Sequence, residues 1–193
     1  GTVYDGDQLL YVIANHRKKR NRLKGGVVGT LMTNLGMEHA LARLKIPFMR
    51  AAVGDRYVLE MLRAKGWKLG GENSGHIICL DQHTTGDGII SALQVLGALR
   101  DGNKSLTKAA ASVKLYPQVL INVRTHRRFD FSADRNVRAA VAKAQSTLDG
   151  AGRVLLRASG TEPVIRVMVE GRSHRMVERC ANAIADAVRV AAI

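Results

Sequence analysis

An alternation of short apolar runs with helical segments constrains the fold of this chain more than any other feature. Residues 27–32, 48–53 and 77–80 are apolar runs bounded by turn residues, which is typical of buried strands. The segments between and after them have helical periodicity and begin at Asn34, Asp55, Asp87 and Ser105. Strands that alternate with helices predict an α/β domain in which helices cover a mixed sheet. We assign it residues 22–116.

Pro117 ends this alternation, and the pattern that follows predicts a different domain. Residues 119–123, 153–157 and 164–170 read as strands, with one helix over 133–148 and a closing helix from about Ser173. We therefore expect residues 119–193 to form a small α+β domain, an antiparallel sheet with two helices.

Two helices carry specific expectations about burial. The first spans residues 7–20, with Asp7 as its candidate N-cap and Leu9, Leu10 and Ile13 on one face. We assign residues 1–21 to the tail of a preceding domain, so this face should be exposed or buried against a neighbouring molecule. The helix capped by Asp87 is expected to form an apolar face from Ile89, Ile90, Leu93, Leu96 and Leu99.

Composition excludes several classes of protein and leaves the partner open. Apolar residues make up 46% of the 193 residues, enough for a packed core, and no run is long enough to predict a membrane-spanning helix. The two cysteines, Cys79 and Cys180, lie in apolar segments and are expected to be buried, reduced thiols of a cytoplasmic protein. The formal net charge of +14 indicates an anionic partner, whether nucleic acid, membrane surface or small phosphorylated compound.

The basic run over residues 17–22 has two interpretations. It could bind a polyanion, or it could be a solvated helix end whose cations complement the helix dipole. The second is favoured, because no aromatic residue is interleaved with these charges to stack on bases.

A loop in the second domain has the composition of a phosphate site. Two arginines flank two hydroxyl residues and a glycine, in the order Arg157, Ser159, Gly160, Thr161 and Arg166. Guanidinium groups are forked donors that match phosphate oxygens, and glycine lets the backbone approach them. The alternative is an ordinary hairpin turn, since Ser, Gly and Pro are turn residues.

A polar loop in the first domain has the composition of a sugar site. Residues 72–76 offer a carboxylate, an amide, a hydroxyl, an open backbone and an imidazole, from Glu72, Asn73, Ser74, Gly75 and His76. Such a set can both donate to and accept from sugar hydroxyls, and an imidazole transfers protons near neutral pH. A tight polar turn with a surface histidine is the alternative.

Two more loops lie where strands meet helices, the position at which α/β folds bind ligands. They are Val53-Gly54-Asp55-Arg56-Tyr57 and Thr84-Thr85-Gly86-Asp87-Gly88. Either could simply be a turn with a helix cap. No metal site is expected, because the remaining histidines lack the spacing of metal ligands.

Taken together and in this order, the four motifs resemble those of the α-D-phosphohexomutase family. Within that family, the asparagine at position 73 makes the chain resemble the bacterial branch that acts on glucosamine phosphates. The resemblance implies a four-domain enzyme of which this chain is the second half. It also implies interconversion of glucosamine 6-phosphate and glucosamine 1-phosphate through a phosphorylated serine. Neither that serine motif nor the family's Asp-Gly-Asp-Gly-Asp-Arg magnesium loop occurs here. Mg is thus implied for the full-length enzyme and none for this chain, which alone should be inactive.

The resemblance also implies roles for individual residues. Glu72 and Ser74, with Asn73, Asp55 and Arg56, would bind the sugar, and His76 would lie near the transferring group as an acid/base. The non-reacting phosphate would be bound by Arg157, Ser159, Gly160, Thr161 and Arg166. The implied partners are a hexosamine phosphate and the missing N-terminal half, with neither a membrane nor a nucleic acid. Two alternatives stay open: a fragment of a phosphomannomutase or phosphoglucomutase, and a basic nucleic-acid-binding module.

Overall fold

A computed structural model describes residues 1–126, 130–160 and 162–192 of the chain. The chain divides into two compact units, one over Gly1–Leu115 and the other beginning at Tyr116. Each unit has its own buried core.

The first unit is a mixed α/β structure, which confirms the predicted fold class. Its four-stranded sheet has the order β2-β1-β3-β4, in which β1 is parallel to β2 and β3, and β4 is antiparallel to β3. In chain order its elements are α1 (Gly6–Lys19), β1 (Val27–Thr30), α2 (Leu35–Arg43), β2 (Phe48–Ala51), α3 (Asp55–Lys65), β3 (Leu69–Gly71), β4 (Ile77–Cys79), α4 (Gly88–Gly102) and α5 (Leu106–Ala110).

Helices cover both faces of this sheet. Consecutive strand residues point to opposite faces, so Val27 joins the core formed with α1, α2, α4 and α5, whereas Val28 joins the core formed with α3. Strand β3 was not predicted, because three residues that include two glycines carry little strand propensity. It nevertheless lies at the centre of the sheet, between β1 and β4.

The helix ends follow the side chains that can satisfy their free backbone groups. Asn34, Asp87 and Ser105 each accept a hydrogen bond from an amide of the first turn, as predicted. The prediction for Asp7 is wrong. Asp5 is the N-cap of α1 and forms a capping box with Gln8, while Asp7 is inside the helix and fully buried.

Helix α1 belongs to the first unit, which corrects the assignment of residues 1–21 to a separate tail. Leu10 and Ile13 are 0% and 1% exposed, and Leu9 packs against the same core. The helix contacts α2, α4, α5 and β3. The expectation that its apolar face would be exposed or covered by a neighbouring molecule is therefore wrong, because that face fills the core of its own unit.

Helix α4 is also oriented differently from the prediction. It buries Ser91, Val95 and Ala98, while Ile89, Leu93 and Leu96 are 76%, 59% and 59% exposed. The helix is apolar on most sides, so periodicity could not select the buried face, and small side chains allow the close contact with α1. We call Ile89, Leu93 and Leu96 the α4 stripe; they are spaced i, i+4 and i+7.

The second unit is an antiparallel sheet covered by two helices, as predicted. Its strands have the order β5-β7-β6, and both pairs are antiparallel. Val123, Val167 and Ile165 on the sheet pack with apolar residues of both helices. In chain order the elements are β5 (Gln118–Arg124), α6 (Arg135–Leu148), β6 (Gly152–Ala158), β7 (Val164–Gly171) and α7 (His174–Ala191).

Both cysteines are free and buried, as expected, and burial raises the pKa of the Cys79 thiol. Among the helices of the described chain, none combines the length and apolar character needed to cross a bilayer.

Buried Asp7 makes the stability of the first unit depend on pH. Burial raises the pKa of Asp7 from 3.8 to about 7, although one carboxylate oxygen accepts a 2.7 Å hydrogen bond from the Asn34 amide. The folded protein then holds this proton over a pH range in which the unfolded chain has lost it. The free energy of unfolding should therefore fall as pH rises from about 4 to 7.

We predict that Asp7→Asn reduces this pH dependence. Between pH 5 and pH 8 the wild-type unit should lose stability on the order of 2 kcal/mol more than the variant. Urea unfolding followed by fluorescence of Trp67, the chain's single tryptophan, reports on this unit. Glu60→Gln neutralises an exposed carboxylate of the same unit and should retain the wild-type pH dependence. Equal pH dependence in wild type and Asp7→Asn would contradict the assignment.

Candidate functional site

Three of the predicted loops are in contact with one another in the first unit. The first contact is a hydrogen bond between two of them. The Gly54 amide donates to Glu72 Oε1 at 3.0 Å, which joins the loop before α3 to the loop between β3 and β4. Gly54 has φ of 128°, a backbone conformation that favours glycine. The glycine thus turns its amide toward the carboxylate and fixes one oxygen of Glu72.

Asp55 and His76 form the second link between these loops. Asp55 Oδ2 lies 3.4 Å from His76 Nε2, and the two side chains are about half exposed. The imidazole also packs against Gly86, because a Cβ atom at that position would lie only 2.2 Å from His76 Nε2. The Thr84–Gly88 loop, which ends in the cap of α4, is therefore the third loop of the cluster.

The loop over residues 72–76 is a closed turn. The Gly75 amide donates to the Glu72 carbonyl at 3.0 Å, and the Glu72 amide donates to the His76 carbonyl at 3.0 Å. Gly75 has φ of 100°. Ser74 and His76 are exposed, while Glu72 and Asn73 are half-buried, so the loop presents a hydroxyl and an imidazole to solvent above a fixed carboxylate.

Arg56 is the one predicted sugar residue of this unit that the structure does not bring into the cluster. Its guanidinium donates to Glu60 Oε1 at 2.9 Å and lies 5.5 Å from the centroid of the Tyr57 ring. It is thus directed along the exposed surface of α3.

In the second unit, Arg157 on β6 and Arg166 on β7 are directly opposed in the sheet. Desolvation and the neighbouring Arg166 charge lower the pKa of Arg157. Arg166 Nε is buried and has no hydrogen-bond partner among the described residues. Within the described part of this unit, neither of these two guanidinium groups forms an ion pair.

The loop after β6 supplies smaller polar groups. Ser159 is 7% exposed; its amide donates to the Val164 carbonyl at 2.8 Å, and its hydroxyl accepts from the Glu162 amide at 3.4 Å. Gly160 has open space where a side chain would begin. Thr161, the fifth predicted phosphate residue, lies outside the described residues.

Sequence reasoning missed two polar side chains beside Arg166. Asn122 and Arg124 on β5 line, with Glu162, Val164 and Arg166, a cavity of about 140 Å³. Asn122 is directly opposed to Arg166, on the side away from Arg157. Two-residue alternation along β5 could have placed Asn122 and Arg124 on one face, but only the sheet order puts that face next to Arg166.

The basic run at the end of α1 is exposed at Lys18, Lys19, Arg20 and Arg22, which agrees with the favoured interpretation of a solvated helix end, but Arg17 departs from it. Arg17 is 5% exposed and pairs with Asp81 at 2.9 Å, and it also donates to Gln94. Arg20 pairs with Asp101 at 3.0 Å. These two arginines hold α1 within its own unit.

The charged and sulfur-containing side chains described here do not form a metal site. Within residues 1–126, 130–160 and 162–192, no three His, Cys, Asp or Glu side chains are grouped so that they could hold a metal ion.

Comparison with known proteins agrees with the division of the chain into two units. Residues 5–116 match the alpha/beta/alpha domain III of phosphoglucomutase/phosphomannomutase, and residues 120–187 match the C-terminal domain of the same proteins. The chain belongs to the phosphoglucomutase/phosphomannomutase family of phosphohexomutases. The match of domain III from residue 5 also agrees with the packing of α1 in the first unit.

Within the family, two bacterial phosphoglucosamine mutases are similar to this chain over its whole length. The chain is 64% identical to phosphoglucosamine mutase of Thiobacillus denitrificans and 63% identical to that of Nitrosospira multiformis, in each case over 192 residues. Each alignment covers 100% of this chain and 42% of the relative. The chain thus spans less than half the length of these relatives and corresponds to their C-terminal part.

A solved structure agrees with the fold. Crystalline N-acetylphosphoglucosamine mutase of Aspergillus fumigatus, in complex with GlcNAc-6P and magnesium, superposes with a TM-score of 0.83. The superposition covers 98% of this chain and 44% of the fungal chain, at 23% identity.

We predict opposite stability effects from the same substitution at two arginines of β6. Arg157→Gln removes the repulsion between opposed guanidinium groups and should stabilise the second unit by up to about 1 kcal/mol. Arg153 instead opposes Glu170, which is fully buried, and the two side chains form an ion pair at 2.5 Å. Arg153→Gln should destabilise the unit by roughly 1–3 kcal/mol.

Hydrogen exchange of the β7 amides measures both effects in the second unit, because β7 is the central strand of its sheet. Slower exchange in Arg157→Gln and faster exchange in Arg153→Gln are expected. Faster exchange in both variants would mean that the Arg157–Arg166 pair is not a source of strain.

Proposed function

We propose that this chain is the substrate-binding C-terminal portion of a phosphoglucosamine mutase, an enzyme that interconverts glucosamine 6-phosphate and glucosamine 1-phosphate. The observation that carries the proposal is the opposed pair Arg157 and Arg166, with the buried Nε of Arg166 unpartnered in the described structure. A bound dianion would neutralise two repelling charges and accept the free donor, and phosphate suits forked guanidinium donors.

The proposed phosphate site uses the loop between β6 and β7. Arg157 and Arg166 supply the charge, the Ser159 hydroxyl and the Gly160 backbone approach the phosphate from the loop, and Thr161 contributes a second hydroxyl. This site binds the phosphate that does not react. Its contribution to catalysis is positioning, since phosphoryl transfer depends on alignment and on neutralising charge.

The proposed sugar site is the cluster around Glu72. The free oxygen of Glu72 and the Ser74 hydroxyl bind sugar hydroxyls, and the carbonyl of the Asn73 side chain accepts from the ammonium group of glucosamine. Arg56 would join these contacts by giving up its pair with Glu60, which is exposed and weakened by solvent screening.

His76 is the proposed acid/base of the reaction. Its imidazole is exposed, and the neighbouring Asp55 carboxylate orients it. In this role His76 accepts the proton of the sugar hydroxyl as that oxygen attacks the phosphoryl group, and it returns the proton to the oxygen that leaves in the reverse transfer.

The remaining components of the reaction are proposed to lie in the N-terminal portion that the relatives have in addition. These are a phosphoserine that donates the phosphoryl group and a bound magnesium ion that neutralises its charge, as the magnesium in the fungal complex suggests. Because this chain lacks both motifs, we expect it to bind substrate without turnover. A cytoplasmic location is proposed on the basis of its two free thiols.

Ligand titration can separate the two proposed sites. We predict that Glu72→Gln weakens binding of glucosamine 6-phosphate about tenfold and leaves inorganic phosphate binding unchanged, because Glu72 contacts only the sugar. Arg157→Gln should weaken both ligands by at least about tenfold. Backbone amide NMR of the 193-residue chain measures each affinity and locates the shifted residues.

Sugar specificity is tested in the same titration. Glucosamine 6-phosphate should bind more tightly than glucose 6-phosphate and mannose 6-phosphate, and Asn73→Ala should reduce that preference. Tighter binding of either hexose phosphate would favour the phosphomannomutase or phosphoglucomutase alternative. Shifts confined to regions outside residues 72–76 and 157–166 would refute the proposed sites.

The α4 stripe is the proposed contact of this chain with the N-terminal portion. Three large apolar side chains at helical spacing are exposed on a helix whose opposite face is buried. The helix begins directly after Gly86, which packs against His76, so the stripe starts beside the proposed sugar site. The relatives have more than half of their length outside the matched region, which is ample to cover such a stripe.

A chimera tests the reaction and this contact together. The N-terminal portion of the Thiobacillus denitrificans enzyme, placed before Gly1, should restore conversion of glucosamine 6-phosphate to glucosamine 1-phosphate. Leu93→Glu combined with Leu96→Glu should lower the activity and melting temperature of the chimera but leave the melting temperature of the 193-residue chain nearly unchanged.

Val190→Glu is the control, because Val190 is 66% exposed on a helix of the second unit. It should change neither property. An inactive, folded chimera would contradict the proposed reaction, whereas an active chimera that is insensitive to both Leu→Glu changes would contradict the docking role of the stripe.

A further inference from the structure

The loop that carries Glu72 and Asn73 rests on the first turn of α1. The Gly6 amide, at the first residue of that helix, donates to the Asn73 carbonyl at 2.9 Å. Gly6 is buried, and a Cβ atom there would lie 2.1 Å from the Glu72 carbonyl oxygen and 2.5 Å from the Gly75 amide nitrogen. Any side chain at this position would overlap the backbone of the loop.

The first turn of α1 is itself held on three sides. Asp5 and Gln8 form a capping box around it, Leu10 is fully buried in the core, and Asp7 accepts a hydrogen bond from the Asn34 amide. Gly6 thus has little freedom to move when a neighbour presses on it. A change in the contact must be taken up by the loop.

Glu72 connects this contact to the proposed sugar site. Its carbonyl faces Gly6, while its side chain accepts the hydrogen bond from the Gly54 amide. A displacement of the loop by on the order of 1 Å is enough to lengthen that hydrogen bond and to misplace a binding group, at a cost that reaches about 100-fold in rate. The position of the loop therefore depends on the missing side chain of Gly6.

We propose that Gly6 is a positioning residue of the site. Because Gly6 has no side chain, residues 72–75 can pack directly against α1, and this contact fixes the positions of the Glu72 carboxylate and the Asn73 side chain relative to the sugar. The effect on catalysis rests on the proposed function, whereas the effect on loop geometry does not. Asp5-Gly6-Asp7 is then a supporting segment of the site, although no residue of it contacts the ligand.

Gly6→Ala and Gly102→Ala form a matched pair of variants. Gly102 is the exposed last residue of α4, six residues beyond the α4 stripe, and no atom lies within 4 Å of a Cβ atom built there. The ligand-free readout is hydrogen exchange of the Gly54 amide, which its hydrogen bond to Glu72 Oε1 slows in the wild-type chain. Gly6→Ala should speed this exchange at least tenfold, and Gly102→Ala should leave it unchanged.

The catalytic readout uses the chimera described above. Gly6→Ala should lower kcat/KM for glucosamine 6-phosphate at least tenfold, with inorganic phosphate affinity unchanged, while Gly102→Ala has the wild-type value. If the chimera is inactive, the proposed function fails, but exchange of the Gly54 amide still decides the positioning role. Wild-type exchange of the Gly54 amide in folded Gly6→Ala would overturn the proposal.

Two further measurements decide the matter if Gly6→Ala does not fold, as judged by Trp67 fluorescence. In the wild-type chain, scalar coupling across the hydrogen bond should connect the Gly6 amide nitrogen with the Asn73 carbonyl carbon. Asp5→Ala, which loosens the first turn of α1, should speed hydrogen exchange of both the Gly6 amide and the Gly54 amide. Absence of the coupling, or wild-type exchange of the Gly54 amide in Asp5→Ala, would overturn the proposal.

Discussion

The hydrogen bond between the Gly54 amide and the Glu72 carboxylate is the contact on which the geometry of the first unit's site depends. It joins two loops that follow different strands of the sheet, and it uses a backbone group, which cannot change rotamer. One carboxylate oxygen is thereby fixed and the other left available. The Asp55–His76 contact lies in the same pair of loops, so the proposed acid/base and the proposed sugar-binding carboxylate are positioned together.

In the second unit, the proposed phosphate site depends on repulsion between like charges rather than on a hydrogen bond between loops. At one end of its sheet Arg153 is paired with the buried Glu170, whereas at the other end Arg157 faces Arg166. Like charges directly opposed on a sheet destabilise it, so the arrangement weakens the empty protein. The same repulsion favours any anion that binds between the two groups. The Arg157–Arg166 pair thus lowers the stability of the ligand-free sheet at the position where the proposed phosphate would stabilise it most.

Sequence patterns predicted the parts of the fold that depend on local chemistry. The caps at Asn34 and Asp87 and the left-handed end of α3 at Gly66 follow from backbone groups that only certain residues satisfy. The orientation of helices was less predictable. Leu10 has the same spacing whether α1 covers its own sheet or another domain, and α4 has apolar residues on most of its sides, so tertiary packing determines both orientations.

The candidate site was likewise predictable only in part. Residue types at loops indicated Glu72, His76, Arg157 and Arg166, because their chemistry can be recognised without coordinates. Sequence could not show contact between distant segments, such as Gly54 with Glu72 or Gly86 with His76, because these contacts depend on sheet order or on a close backbone approach.

Two features of the chain are unfavourable in isolation, and the proposed binding partners would account for both. The α4 stripe exposes apolar surface to water, and neither guanidinium group of the Arg157–Arg166 pair forms an ion pair in the described structure. Neither feature stabilises the unit that carries it, since one forms no buried contact and the other opposes like charges. One is suited to an apolar protein surface and the other to an anion, so they call for different partners. Both features agree with the proposal that this chain works as one portion of a larger enzyme that binds a phosphorylated substrate.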